Sequence, residues 1–177
     1  MNDRPSLPTP QTTQGDSERY GALLQVVEAI ASHADLQGLV QDLARLLPLL
    51  VPVNFVGLSL YDAQRDMMRL HVLRANVPAD IIGGQESHPS DTPAGLVWQT
   101  QQPVILSDLA EEHRWPKLIA LMREDAVQSC CLVPLTSAVR QLGALAFSSL
   151  EKDAYRVSDL ELMQQIGRQV AVAVENV

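Results

Sequence analysis

Cys130 and Cys131 are the only cysteines in the chain and stand side by side. Thiols can sense oxidants or ligate a metal when a neighbour lowers their pKa, and nothing near them in sequence does so. Unassisted, a cysteine behaves as a small buried hydrophobe. Adjacent residues of one strand point to opposite faces, so a bridge between the two is not expected and the chain reads as a reduced, intracellular one. If Val127, Ser129, Cys131 and Val133 share a face, Cys131 lies beside Ser129. The histidines His33, His71, His88 and His113 show no paired metal-binding spacing. An iron site built from Tyr61, His71, Asp91 and Cys131 would require the fold to bring all four together; otherwise His71 is an ordinary strand residue.

Two segments offer anion chemistry. Thr92-Pro93-Ala94-Gly95 and Asp108-Leu109 both read as helix starts, where backbone N–H groups lack intrahelical partners and attract small anions. Gly95 would allow a ligand to approach closely. Asp108 would fill its own site with its carboxylate, whereas a Thr92 hydroxyl cap leaves most donors free. Trp98 and Trp115 read as packing anchors, with Trp98 near enough to the first segment to line a pocket.

These residues need a scaffold. Met1–Ser17 is rich in Pro, Thr, Gln and Ser, has little to bury and is expected to be disordered. Tyr20, Leu23, Leu24, Val27, Ile30 and Ala31 then fall at helical spacing. Asp35 caps a second helix that Pro48 should end or kink. Residues 54–61 and 67–75 read as strands joined by the turn Asp62–Asp66. Residues 76–91 form a long polar segment of the kind that serves as a lid. Thr92-Pro93 opens a short helix, and 103–107 is a brief strand. Asp108 with Glu111 resembles a capping box opening a helix that Pro116 should distort. Residues 127–135 and 142–150 are two further strands, and Ser158 with Glu161 caps a last helix. That helix carries Leu160, Met163, Ile166, Val170, Val174 and Val177 on one stripe, and 170–174 is apolar all round. A helix apolar on every side is covered on both. One cover is the sheet; the other is a symmetric partner or the first helix of the same chain. The pattern predicts an α+β domain.

The composition narrows the function. The 177 residues carry 13 basic and 21 acidic side chains, for a net charge of −8, with no basic cluster to neutralise phosphates. Nucleic-acid and anionic-membrane binding by this domain are therefore not expected. No apolar run approaches the roughly 20 residues of a membrane span, and the N-terminus lacks a secretory core, so a cytoplasmic location is expected.

The succession GLSLYD, PAGLVWQTQQPVILSDL, SCCLVPLTSAVRQLGALAFSS and a terminal helix ending AVAVENV resembles the GAF domain family. It is most similar to the N-terminal sensor domains of sigma-54-dependent bacterial activators of the formate hydrogenlyase activator type. The resemblance covers Tyr20 to Val177, so residues 18–177 are taken as the domain. It implies a six-stranded antiparallel sheet with the terminal helices on one face and loops and short helices over a ligand pocket on the other. It also implies a homodimer through the terminal helices and a downstream output domain. Candidate pocket residues are Ser59, Tyr61, His71, Thr92, Gly95, Trp98, Ser129 and Cys131; candidate dimer residues are Tyr20, Leu24, Val27, Met163, Val170 and Val174. The effector expected is a small carboxylate or oxyanion, and no cofactor is assigned. No phosphate-binding G-x-x-x-x-G-K-[ST] loop is present, and the Asn-Lys-Phe-Asp-Glu signature of cyclic-nucleotide-binding members is missing. A branch of the family reduces free methionine sulfoxide with cysteines around the lid; residues 89–100 contain none, so an enzyme is not expected. The expected role is small-molecule sensing, with a ligand-free dimerisation module or an iron or redox sensor as the alternatives.

Overall fold

The computed structural model describes residues 14–32, 35–75 and 82–176. In chain order they form α1 (Gln14–Ser32), α2 (Leu36–Leu46), β1 (Phe55–Asp62), β2 (Met67–Arg74), β3 (Ile82–Ser87), α3 (Pro93–Thr100), β4 (Val104–Leu106), α4 (Pro116–Glu124), β5 (Ser129–Thr136), β6 (Gln141–Ser149) and α5 (Leu160–Glu175). Most of the expected tail, His33, Pro78 and Val177 lie outside the described residues. Helix α1 takes in Gln14–Ser17, which composition assigns to the tail.

The six strands make one antiparallel sheet in the order β3-β2-β1-β6-β5-β4. The β1–β2 hairpin closes where the sequence expects it: the Asp62 carboxylate accepts the Gln64 N–H at 2.9 Å, and Asp66 takes the left-handed conformation that Asp tolerates. Strand β3 falls inside the segment read as a polar lid. Its sequence IGGQES has almost no apolar pattern, and it survives as an edge strand. Gly84, at φ 95°, supplies the extra residue where the β2–β3 register slips, since Leu70 faces Gln85 and His71 faces Gly83.

One face of the sheet is closed by α2 and α5. Alternation sends Val56, Leu58, Leu145, Phe147, Cys131 and Val133 to this side, where they meet Leu39, Leu43, Met163, Ile166 and Val170 in one buried cluster. Each large side chain so buried contributes roughly 1.5–3 kcal/mol. Asp35 caps α2 by accepting the Gly38 N–H at 2.8 Å, and Pro48 sits in a single 3₁₀ turn, Leu47–Leu49, that ends the helix. A Cβ on Gly167 would lie 3.0 Å from the Pro134 carbonyl and from Val133, so α5 rests almost directly on β5.

Helix α1 packs on α2 and α5. It is turned from the expected stripe: Val26 is buried, with Ala22, Leu23 and Ala29 beside it, while Tyr20 is 64% and Leu24 47% exposed. Small alanines facing inward give a weak apolar signal. The side chains of Ile30 and Ala31 lie outside the described residues. Two expected dimer residues, Met163 and Val170, are fully buried on the chain's own sheet and cannot reach a partner. The all-round apolar stretch of α5 is covered mainly from within the chain, leaving Val172 53% exposed.

The opposite face carries α3, α4 and the segment between them. Helix α4 begins at Pro116, not Asp108. A proline at the first helical position loses no hydrogen bond, so Pro116 opens the helix instead of distorting it. The Asp108 carboxylate instead accepts the Ala110 N–H at 2.9 Å and pairs with Lys152 at 2.6 Å. The last helix likewise starts after a 3₁₀ turn, Val157–Asp159, where the Asp159 carboxylate, not a Ser158 cap, accepts the Arg156 N–H.

Candidate functional site

Between the sheet and this second layer lies a cavity of about 180 Å³. Its floor is the sheet face made by alternate residues of four strands: Phe55, Gly57 and Ser59 of β1; Met68, Leu70 and Val72 of β2; Cys130 and Leu132 of β5; Ala146 and Ser148 of β6. Gln85 and Ser87 of β3 form one wall. The start of α3 (Thr92, Pro93, Ala94) and α4 with the turn after it (Leu118, Leu121, Met122, Asp125, Val127) form the rest. The floor is deep because its centre is small: a Cβ on Gly57 would sit 3.3 Å from the Ala146 Cβ.

The lining is mostly apolar, with polar groups at particular points. Ser59 is 7% and Ser148 6% exposed. Neither side chain, nor that of Gln85 or Ser87, has a hydrogen-bond partner among the described residues. The serine hydroxyls are not sealed off: among the described residues only the Tyr155 hydroxyl is a fully buried side-chain polar atom without a partner. No Lys, Arg or His lines the cavity among the described residues, and its one acidic side chain, Asp125, stands at the rim beyond α4.

Several expected pocket residues are placed otherwise. Ser59 and Thr92 do line the cavity. Cys131 does not: it faces α5 in the closed core, and its neighbour Cys130 reaches the cavity instead. Ser129 is fully buried and donates its hydroxyl to the Glu151 carbonyl at 2.6 Å. His71 alternates with Leu70 and Val72 and so lies on the helix face, where burial lowers its pKa. Tyr61 and Trp98 stack on each other with centroids 3.8 Å apart, outside the cavity lining. The Tyr61 hydroxyl donates to Asp66 at 2.8 Å, which raises its pKa, and the Trp98 indole donates to the Gln141 carbonyl. This pair is a packing anchor. Because His71 and Cys131 lie on one side of the sheet and Tyr61 on the other, the imagined iron ligands do not converge, and no cluster of three His, Cys, Asp or Glu suited to a metal occurs among the described residues.

The anion site at α3 is narrowed to one donor. The Thr92 hydroxyl accepts the Gly95 N–H at 3.0 Å, the Thr92 carbonyl accepts that of Leu96, and Pro93 has no N–H to give, so only the Ala94 N–H still faces the cavity. Gly95 is required for packing: a Cβ there would fall 1.9 Å from the Pro89 carbonyl. Its close approach is to the protein's own backbone, not to a ligand. At Asp108, with no helix behind it, Lys152 holds the carboxyl below its usual range.

The thiol of Cys130 is pushed up to about 12, chiefly by burial, and that of Cys131 likewise. Both are therefore protonated at neutral pH. Away from the floor, the guanidinium of Arg114 holds Glu112 down to about 2 while lying 4.4 Å over the buried Trp115 ring. That ion pair fixes the approach to α4.

Sequence reading missed Cys130, Gln85, Ser87, Ser148 and Asp125. For Ser148 a signal existed: in β6 small Ala144, Ala146 and Ser148 alternate with Leu145 and Phe147. Such a strand has one packed face and one hollow one.

The architecture is a six-stranded antiparallel sheet closed by helices on one side and roofed over a cavity on the other, which defines the fold class. Residues 33–175 match the model of the GAF domain family, and the chain belongs to that family. It is 22% identical over 169 residues to the formate hydrogenlyase transcriptional activator FhlA of Escherichia coli (strain K12), covering 91% of this chain and 24% of the relative. The chain thus spans about a quarter of the length of the curated relatives it matches. Its fold is similar to the GAF domain of an Acinetobacter phosphoenolpyruvate-protein phosphotransferase (TM-score 0.71, 16% identity, 89% of this chain and 92% of that one). It is also similar to a free methionine-R-sulfoxide reductase from Neisseria meningitidis in complex with its substrate (TM-score 0.71, 16% identity, 97% and 96% covered). The relatives named as transcriptional activators are regulators, and no described helix is long and apolar enough to cross a membrane.

Proposed function

We propose that this is a non-enzymatic, small-molecule-sensing regulatory domain of a bacterial signalling or transcription regulator, working in the cytoplasm. One observation carries the reading: partnerless polar side chains open into a formed, otherwise apolar cavity. A pocket of a few precisely placed polar groups in apolar walls is the ordinary form of a ligand site.

Strand β5 supplies the route outward. Cys130 and Leu132 face the cavity, while Cys131 and Val133 face α5. A ligand that binds one β5 position more tightly than another also selects one seat for α5. Helix α5, with α1 packed against it, would carry that difference to an output domain, and the greater length of the relatives supports such a domain. Tyr20, Leu24 and the half-buried Val27 and Val174, joined by Val172, are the apolar positions open to a second copy.

Similarity to a sulfoxide reductase raises catalysis as a question. Attack on a sulfoxide needs a thiolate. Cys130 lines the cavity but is held protonated. Treatment with free methionine sulfoxide should leave both cysteines as thiols by mass spectrometry.

A dimerisation module with an unused cavity is the second reading, favoured by the exposure of Tyr20 and Leu24. A thermal-shift screen separates the two. A hit lost in Ala146→Phe supports sensing; a concentration-dependent dimer that responds to no compound supports the alternative.

A further inference from the structure

We infer that the cavity selects its ligand by an apolar body the size of a single six-membered ring, seated over Gly57 and Ala146, and not by a one- or two-carbon head group alone. This rests on the sensing role proposed above and assigns the ligand's size class. A head group of either charge is compatible with such a body.

Strand pairing puts Leu132, Ala146, Gly57 and Val72 in one row across four strands. The two middle members have the smallest side chains there are. A Cβ on Gly57 would stand 3.3 Å from that of Ala146 and 3.6 Å from the Leu70 side chain, so the floor is low and closely knit at its centre. Larger neighbours rise around it: Met68 and Leu70 along β2, Leu118 and Met122 from α4 in the second layer. The sheet therefore carries a dent between apolar walls.

Size sets the occupant. The cavity holds about 180 Å³, and an apolar cavity of about 150 Å³ is enough to take benzene. One ring with a short substituent fills that space, whereas formate or acetate would meet little of the wall. Leu121 is a second, independent indication. It lines the cavity from α4 yet is 41% exposed, a large apolar side chain left open where the cavity meets solvent. A ring inside would cover it, and covering apolar surface is what supplies affinity. Ser59 and Ser148 lie two residues to either side of the central row, where their hydroxyls can meet a substituent.

Calorimetry and thermal shift on the full chain with acetate, benzoate, acetamide and benzamide test this. Within whichever head-group pair binds, the ring should raise affinity at least about tenfold. The wild type should also prefer benzoate or benzamide to the two-ring 1-naphthoate or 1-naphthamide. Ala146→Leu raises the floor and should weaken the one-ring compounds about tenfold or more. Met122→Ala opens the wall and should shift the preference toward two rings, a swap that loss of structure cannot produce. Circular dichroism checks that both variants fold, and the wild-type series decides the matter if either does not. Binding of acetate or acetamide as tight as that of its ring partner, or tighter binding of two rings by the wild type, overturns the size class and leaves the sensing role standing. A broad screen whose hits lack a ring-sized apolar body does the same, and one whose hits carry it supports the assignment. No binding by any compound, in a folded wild-type chain, overturns both.

Discussion

The two faces of the sheet solve opposite problems with the same strands. On the helix side, Leu145 and Phe147 of β6 lock against α2 and α5, in a close-packed core with every large side chain covered. On the other side, their neighbours Ala144, Ala146 and Ser148 face a smaller cluster around Trp115, Val97 and Leu109 that leaves the cavity open. Stability belongs mainly to the first face and recognition to the second. A domain that packed both faces equally would be firmer and would sense nothing. The division also locates the movable parts, since α4 and β3 are held to the sheet by less buried apolar surface than α5.

Adjacent residues of β6 give the largest expected contrast. Phe147→Ala should cost about 3–5 kcal/mol by urea unfolding, through lost transfer energy and a new void. Ala146→Leu, one residue away, should stay within about 1.5 kcal/mol of the wild type because the added atoms enter existing space. Equal losses would erase the distinction between the faces.

Smaller effects sharpen it. Thr92→Ala removes the cap of α3 and should destabilise by about 1 kcal/mol while leaving the closed core intact. Tyr155 is a blemish on the packed side: its hydroxyl is buried with no hydrogen-bond partner among the described residues, and burial raises its pKa. Tyr155→Phe should therefore be neutral or stabilising by up to about 1 kcal/mol, and a clear loss would reveal a hidden partner.

The smallest expected effect depends on pH. Glu112 has a folded pKa near 2 against an ordinary value of 4.5, its partner being Arg114. A depressed carboxyl stabilises the fold in full above pH 4.5, and that contribution fades as pH falls toward 2. Glu112→Gln should flatten the stability profile in that window and leave it unchanged in shape at neutral pH. An unaltered acid limb would mean that the pair contributes nothing.

Much of this was readable in the residues. The hairpin at Asp62–Asp66, the Asp35 and Thr92 caps and the long α5 follow from turn chemistry and periodicity, which act locally. Strand β3 was not readable, because an edge strand spelled IGGQES draws its order from β2 and not from its own pattern. Helix α4 was misplaced because Asp-x-x-Glu spacing at Asp108 imitates a cap, although Asp108 spends its carboxylate on Ala110 and Lys152. The site suffered most where a strand is apolar on both faces. In SCCLVPL, alternation cannot say whether Cys130 or Cys131 faces the hollow side, since that depends on which layer α5 covers. His71 shows the same limit: its face could be told apart from that of Leu70, but not named.

Backbone hydrogen exchange, followed with and without a compound that raises the melting temperature, tests the central claim most directly. On binding, β3, α4 and the strands β1 and β6 should gain protection, with a smaller gain along α5. Exchange that is equal in α4 and α5 without a ligand, and unmoved by every bound compound, would contradict the division between the two layers.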